Sequence, residues 1–204
     1  MSSDGVPGRA RLPIVHHPAY DAISVPDGHR FPMRKYTRLA ERLVADGFGP
    51  YARFARPIEA PEAWLTLAHE PSYVAGVLAA NLPVLMTRRI GFEVTPSVAR
   101  RARASVAGTV LAGRLALEHG FAVNAAGGSH HAGPEGGAGF CVFNDVAVAA
   151  RLLQGEGSVR RIAIIDLDVH QGDGTARIFA GVPSVFTFSM HCEKNWPTRK
   201  AVSD

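Results

Sequence analysis

The strongest constraint on this fold is an apolar run that ends in chemistry. Residues 161–167, "RIAIIDL", pass directly into "DVHQGDG". Seven residues is strand length, and a near-continuous apolar strand is one buried on both faces, as in a parallel sheet covered by helices. In such sheets the ligand crevice opens beyond the carboxyl ends of the strands. The carboxylates and the histidine of this segment begin at that end.

The rest of the chain alternates in the same way. "RLPIVHH" (11–17), "AWLTLAH" (63–69), "FAVNAA" (121–126) and "SVFTFSM" (184–190) have strand length and apolar content. Helices are predicted over 36–47, with Leu39, Leu43 and Val44 at helical spacing and Gly47 as terminator, and over 72–83, stopped by Pro83. The clearest helix spans 96–119, where Thr95 can cap the start, Pro96 takes the first turn and Gly120 closes it. Asn144 can cap another over 145–154, and a short one follows around 174–180. Strand and helix in alternation predict an α/β fold with a mostly parallel sheet between helices.

Hydrophobic residues make up 47% and charged residues 20%, which supports a packed core and excludes a disordered chain. The net charge of +4 comes with scattered arginines, Arg88–Arg89, Arg100–Arg101–Arg103 and Arg160–Arg161. These read as solvated faces, and no direct nucleic-acid binding is expected. Two cysteines, Cys141 and Cys192, without a CxxC pair fit a reducing compartment. No signal peptide and no membrane span is visible, so a cytoplasmic protein is expected. Residues 1–11 read as a flexible tail and 12–204 as the folded part.

Two loops follow strands and carry the chemistry. "GGSHHAGPEGGAGFCVFND" (127–145) sets His130 beside His131 among six glycines. Glycine permits close backbone approach, which suits a pocket floor. "IDLDVHQGDG" (165–174) offers Asp166, Asp168, His170 and Asp173. In an extended segment, 166, 168 and 170 share one face. Asp168 and His170 can then reach one divalent ion such as zinc, and Asp166 can orient a histidine. Read singly, Cys141 is a pocket-lining hydrophobe, and His16, His17 and His69 are structural or solvated.

"GGSHH…GFCVFND" followed by "DLDVHQGDGT" resembles the zinc-dependent histone deacetylases. "HRFPMRKY" (29–36) and "FTFSMHCEKNWP" are similar to the class IV-like bacterial branch. The resemblance implies the arginase–deacetylase α/β fold and hydrolysis of acyl-lysine or related N-acyl amides. It implies Asp168 and His170 as two of three zinc ligands and His130 and His131 as the catalytic dyad, backed by Asp166 and Asp173. Gly139 is then the carbonyl that receives the substrate amide N–H, with Phe140 and Trp196 as the channel walls. It further implies a structural monovalent cation, K+, near Asp166, Asp168, His170, Ser189 and Met190. The implied partners are an acyl-lysine protein or an acetylated polyamine. His131 is the implied general base, with His130 mainly electrostatic.

The pattern departs from the family at one end. The third zinc ligand, an aspartate, and the carbonyl-polarising tyrosine belong to later loops of the family, whereas the last tyrosine here is Tyr73. The resemblance therefore implies the N-terminal two thirds of a catalytic domain, incomplete on its C-terminal side, truncated and impaired alone or served by a complementing C-terminal chain. "SVFTFSM" is then a sheet edge without neighbours. A non-catalytic acyl-lysine or polyamine binder is the alternative, and an arginase- or agmatinase-like ureohydrolase is a second one.

Overall fold

The computed structural model describes residues 12–22, 25, 28–48 and 52–202. The tail expected over 1–11 lies outside them. Strand β1 (Leu12–Val15) is central to a three-stranded parallel sheet, flanked by β2 (Ala52–Ala55) and β3 (Val123–Asn124) in the order β2-β1-β3. A second parallel pair joins β4 (Ile162–Asp166) to β5 (Val185–Ser189), with Asp166 beside Ser189. The parallel α/β pattern holds, but the described strands form two sheets rather than one.

Seven α-helices connect these strands among the described residues. Helix α1 (Lys35–Leu43) continues into a wider turn, Val44–Phe48, where Gly47 turns left-handed at φ 83°. Helices α2 (Glu62–Leu65), α3 (Pro71–Leu78) and α4 (Val84–Ile90) precede the long α5 (Pro96–His119). The α5 caps are those expected: Thr95 accepts the Val98 N–H, Pro96 takes the first turn, and Gly120 closes the helix in the left-handed region. Helix α6 (Asp145–Gly155) starts on Asn144, whose side chain accepts the Ala147 N–H, and α7 (Asp173–Phe179) follows β4. Helix α5 packs against α6 and β1. Where it passes Gly108, the Tyr20 hydroxyl and the Asn124 amide occupy the space a Cβ would need.

Two expectations fail for physical reasons. The strand expected over 63–69 is a helical turn with α2 at its start. Its buried residues are Leu65, Ala68 and His69, an i, i+3, i+4 spacing that belongs to a helix. The run at 161–167 is a strand, but it is buried on one face only. Ile164 and its neighbour Thr187 face inward, while Ile165, Phe186 and Phe188 are 56%, 48% and 41% exposed on the other face.

Candidate functional site

Both chemistry-bearing loops leave parallel strands at their carboxyl ends, one from β3 into α6 and one from β4 into α7. His69 and Asp145 shape the first loop. The buried His69 donates from Nδ1 to the Gly133 carbonyl at 2.8 Å, and its Nε2 accepts the Asn144 N–H at 2.9 Å. Asp145, at the start of α6, accepts the N–H groups of Gly128 and Ser129 and the Thr109 hydroxyl. The Tyr73 hydroxyl donates to the Val142 carbonyl at 2.7 Å. The glycine loop is thus tied down at both ends.

This scaffold holds two histidine–aspartate pairs side by side. His130 Nδ1 donates to Asp166 at 2.5 Å, and His131 Nδ1 donates to Asp173 at 2.8 Å. The ring centroids lie 3.9 Å apart. Asp173 also accepts from Arg177, one helical turn on, at 2.5 Å. With each Nδ1 committed to a carboxylate, each neutral ring keeps Nε2 as an acceptor.

The two rings differ electrostatically. Burial disfavours charge on His130, but the hydrogen bond and charge of Asp166, helped by Asp168 and Asp173, outweigh it and raise its pKa. On His131 burial prevails over the Asp173 bond, the charges of His130 and His170 add to it, and the pKa falls. His131 is the ring of the pair that stays neutral more readily.

Asp168 and His170 lie beside the dyad and bond to each other. Asp168 accepts both the His170 backbone N–H at 2.7 Å and Nδ1 at 2.9 Å. Its Oδ1 is 3.8 Å from His130 Nε2. Their oxygen and imidazole donors suit zinc. Among the described residues no group of three or more His, Cys, Asp or Glu side chains is gathered for a metal, so the pair supplies two donors of the usual three or four.

A cavity of about 630 Å³ opens over these groups. His130, His131, Gly139, Phe140, Asp168, His170 and Trp196 all line it. Gly139 and Phe140 both take positive φ, 54° and 67°. A Cβ on Gly139 would strike the His131 and Trp196 rings. For Phe140 this backbone is strained by about 1 kcal/mol or more. The ring is held by Phe31 and by stacking on Phe92, with centroids at 5.4 and 6.0 Å, and its N–H donates to the Ile90 carbonyl. The Trp196 indole stands edge-on to His131 at 4.4 Å.

The cation set comes together in part. Ser189 is the register partner of Asp166, and the Met190 N–H donates to the Asp166 carbonyl at 3.0 Å. Asp168 and His170 lie in the loop beyond. Cys141 is buried, and burial pushes its thiol up to about 12, so it is a hydrophobe as expected. Arg30 lines the cavity, while His29 packs against Phe140 from behind. His69, read as structural or solvated, is structural, while sequence reading missed Arg177 and three further lining residues, Lys35, Tyr36 and Arg101. Only Asp173–Arg177 carried a visible signal, an i, i+4 pair.

The pattern of the histone deacetylase domain matches residues 29–204. An uncharacterized protein of Picosynechococcus sp. is 49% identical over 193 residues, covering 95% of this chain and 64% of that protein. Histone deacetylase 2 of Arabidopsis thaliana is 30% identical over 196 residues, 92% of this chain and 51% of the relative. The crystal structure of the HDA15 HD domain superposes with a TM-score of 0.78 at 22% identity, over 93% of this chain and 57% of that one. That likeness bears out the arginase–deacetylase α/β fold. The chain spans less than two thirds of the length of each of these proteins. No helix among the described residues is long and apolar enough to cross a membrane.

Proposed function

The chain belongs to the histone deacetylase family, and from that premise we propose that its pocket hydrolyses an acyl-lysine or related N-acyl amide with zinc held by Asp168 and His170. The observation that carries this reading is the pair of His–Asp couples, 3.9 Å apart by ring centroid and shifted in opposite directions. Amide hydrolysis needs one group that accepts a proton from water and returns it to the leaving nitrogen. When bound, zinc supplies the Lewis acidity that polarises the carbonyl and acidifies water.

The chain's own residues do the rest. His131 Nε2 takes the proton of the attacking water and passes it to the amine nitrogen as the C–N bond breaks. Asp173, fixed by Arg177, keeps the His131 tautomer and steadies the imidazolium between the two transfers. His130, held by Asp166, sets the local charge. Two imidazolium rings this close repel, so charge on one opposes charge on the other. The Gly139 carbonyl receives the substrate amide N–H, and Phe140 and Trp196 enclose the lysine stem. A monovalent cation near Asp166 and Ser189 belongs to the same reading as a structural element.

The pocket supplies two of the metal ligands, and the chain covers 64% of its Picosynechococcus relative. The test therefore joins the chain to the portion of that relative left outside the match and measures metal-dependent release of acetate from an acetyl-lysine peptide. Turnover abolished by His131→Ala supports the hydrolase. Tight acetyl-lysine or acetylpolyamine binding without turnover in the zinc-loaded fusion points to a non-catalytic binder.

A further inference from the structure

Arg101 lies on α5 and is 2% exposed. One guanidinium nitrogen donates to the Tyr36 hydroxyl, and the group stacks over Phe31 and Tyr36 at 5.5 and 4.9 Å. Its Nε has no hydrogen-bond partner, and no carboxylate among the described residues pairs with it. Asp145, whose field reaches Tyr36, is already satisfied by Thr109, Gly128 and Ser129. Asp168 is engaged by His170. A buried cation with no anion paired to it among the described residues is costly, so it points to an anionic partner beyond them.

The surroundings say what that is. Lys35 places its ammonium 4.3 Å from the Phe31 centroid on the same wall. Lys35, Tyr36 and Arg101 all line the cavity that holds the dyad, with Arg30 and Arg89 also on its lining. The Tyr36 hydroxyl accepts from Arg101, which leaves its own hydrogen free to donate. A guanidinium edge, an ammonium and a phenol hydrogen are donors on one wall of the cavity, and among the described residues the Arg101 Nε has no acceptor. Their complement is a carboxylate, which takes a guanidinium in a two-point bond.

We propose that Arg101, Lys35 and Tyr36 form a carboxylate-binding recess in the wall of the acyl pocket, selecting acyl groups that end in a carboxylate. The substrate half rests on the hydrolase reading above. A hydrocarbon acyl end placed there leaves the cation unpaired and strips its water, while a dicarboxylic acyl end, such as succinyl, supplies the anion. The same donors also fit a free carboxylate, so released product is the second source of the same chemistry.

The test is calorimetric titration of the purified chain in the presence of chelator, with N-ε-succinyl-lysine, N-ε-butyryl-lysine and sodium acetate as probes. Charge-assisted hydrogen bonds predict that succinyl-lysine binds tighter than butyryl-lysine by about tenfold or more. The ratio falls to near one in Arg101→Met and in Lys35→Met, the second being the safer variant because Lys35 is exposed. Equal affinity for the two conjugates, or a preference that survives both substitutions, overturns the selection. Acetate binding that needs Lys35, with the conjugates binding alike, assigns the recess to free product and overturns its role toward the acyl group. Conjugates that bind alike with no acetate binding sink the recess and leave the hydrolase standing. Acetate binding that needs Lys35, with no binding of either conjugate, keeps the recess and sinks the acyl-lysine pocket.

Discussion

The imidazole of His69 accepts the backbone N–H of Asn144 at 2.9 Å, with both residues buried. That bond fixes the proton on Nδ1, which donates to Gly133. A second proton on the ring would meet an N–H instead of an acceptor. Burial accordingly pulls the His69 pKa down to about 4, against the smaller opposing effect of the Gly133 bond.

The first prediction follows from the sign of that shift. Between pH 6.5 and about 4 the unfolded chain holds a proton on His69 that the folded chain does not. The neutral ring's contribution is complete above pH 6.5 and drains away as pH falls toward 4. The loss is roughly 3 kcal/mol at 1.36 kcal/mol per unit. Urea midpoints measured from pH 7 to 4 show it as a steep decline. His69→Gln is less stable at pH 7 and has a flatter profile. A parent whose midpoint is unchanged across that range refutes the buried neutral histidine.

The second prediction concerns metal. Asp168 and His170 contribute one oxygen and one nitrogen donor, so zinc binding to the chain is weak. Calorimetric titration shows a single site, and Asp168→Ala or His170→Ala removes it. Affinity that survives the double substitution places the metal elsewhere.

Much of this site was legible because its chemistry is local in sequence. D-x-D-x-H on a strand end and two adjacent histidines in a glycine loop are patterns within ten residues, and the structure brings them within hydrogen-bond reach. The caps of α5 and α6 were legible for the same reason. What escaped is long-range. Arg101 reads as one member of a surface arginine cluster until α5 turns it inward against Tyr36, 65 residues away in sequence. His69 meets Asn144 across 75 residues. The strand expected over 63–69 failed because seven residues are too few to tell a period of two from one of 3.6.

The third prediction uses the uncovered sheet face. Register sets Ile165 beside Phe188 and Ala163 beside Phe186, so these side chains form one apolar patch, continued by Leu167 and Met190. Exposed patches of this kind promote association. Light scattering of the purified chain shows concentration-dependent self-association. Phe186→Glu with Phe188→Lys reduces it while circular dichroism stays unchanged. A parent that stays monomeric at high concentration removes the argument that this face needs a cover, a complementing chain included.

The last prediction separates the two histidines, whose rings are chemically identical and whose settings are not. His131 is packed under Trp196 and is backed by an aspartate already shared with Arg177, so burial keeps it neutral. His130 faces Asp166 and Asp168 and holds its proton more tightly. In the metal-free chain, nitrogen NMR shows His130 titrating above the ordinary histidine value and His131 below it. As pH falls from neutral, His130 takes its proton first, and that charge further opposes protonation of His131. In the fusion that restores the length of the relative, His131→Ala loses about 10²–10⁴-fold in kcat/KM, the usual worth of a positioned proton carrier. His130→Ala loses less and shifts the pH profile, because it removes a neighbouring charge and leaves the carrier in place. The profile belongs to the coupled pair, so its limbs are compared between variants rather than assigned to single rings. A dead His130→Ala beside an active His131→Ala reverses the two roles. Two active variants make the paired histidines a structural feature of the loop, and the proton-transfer mechanism falls with them.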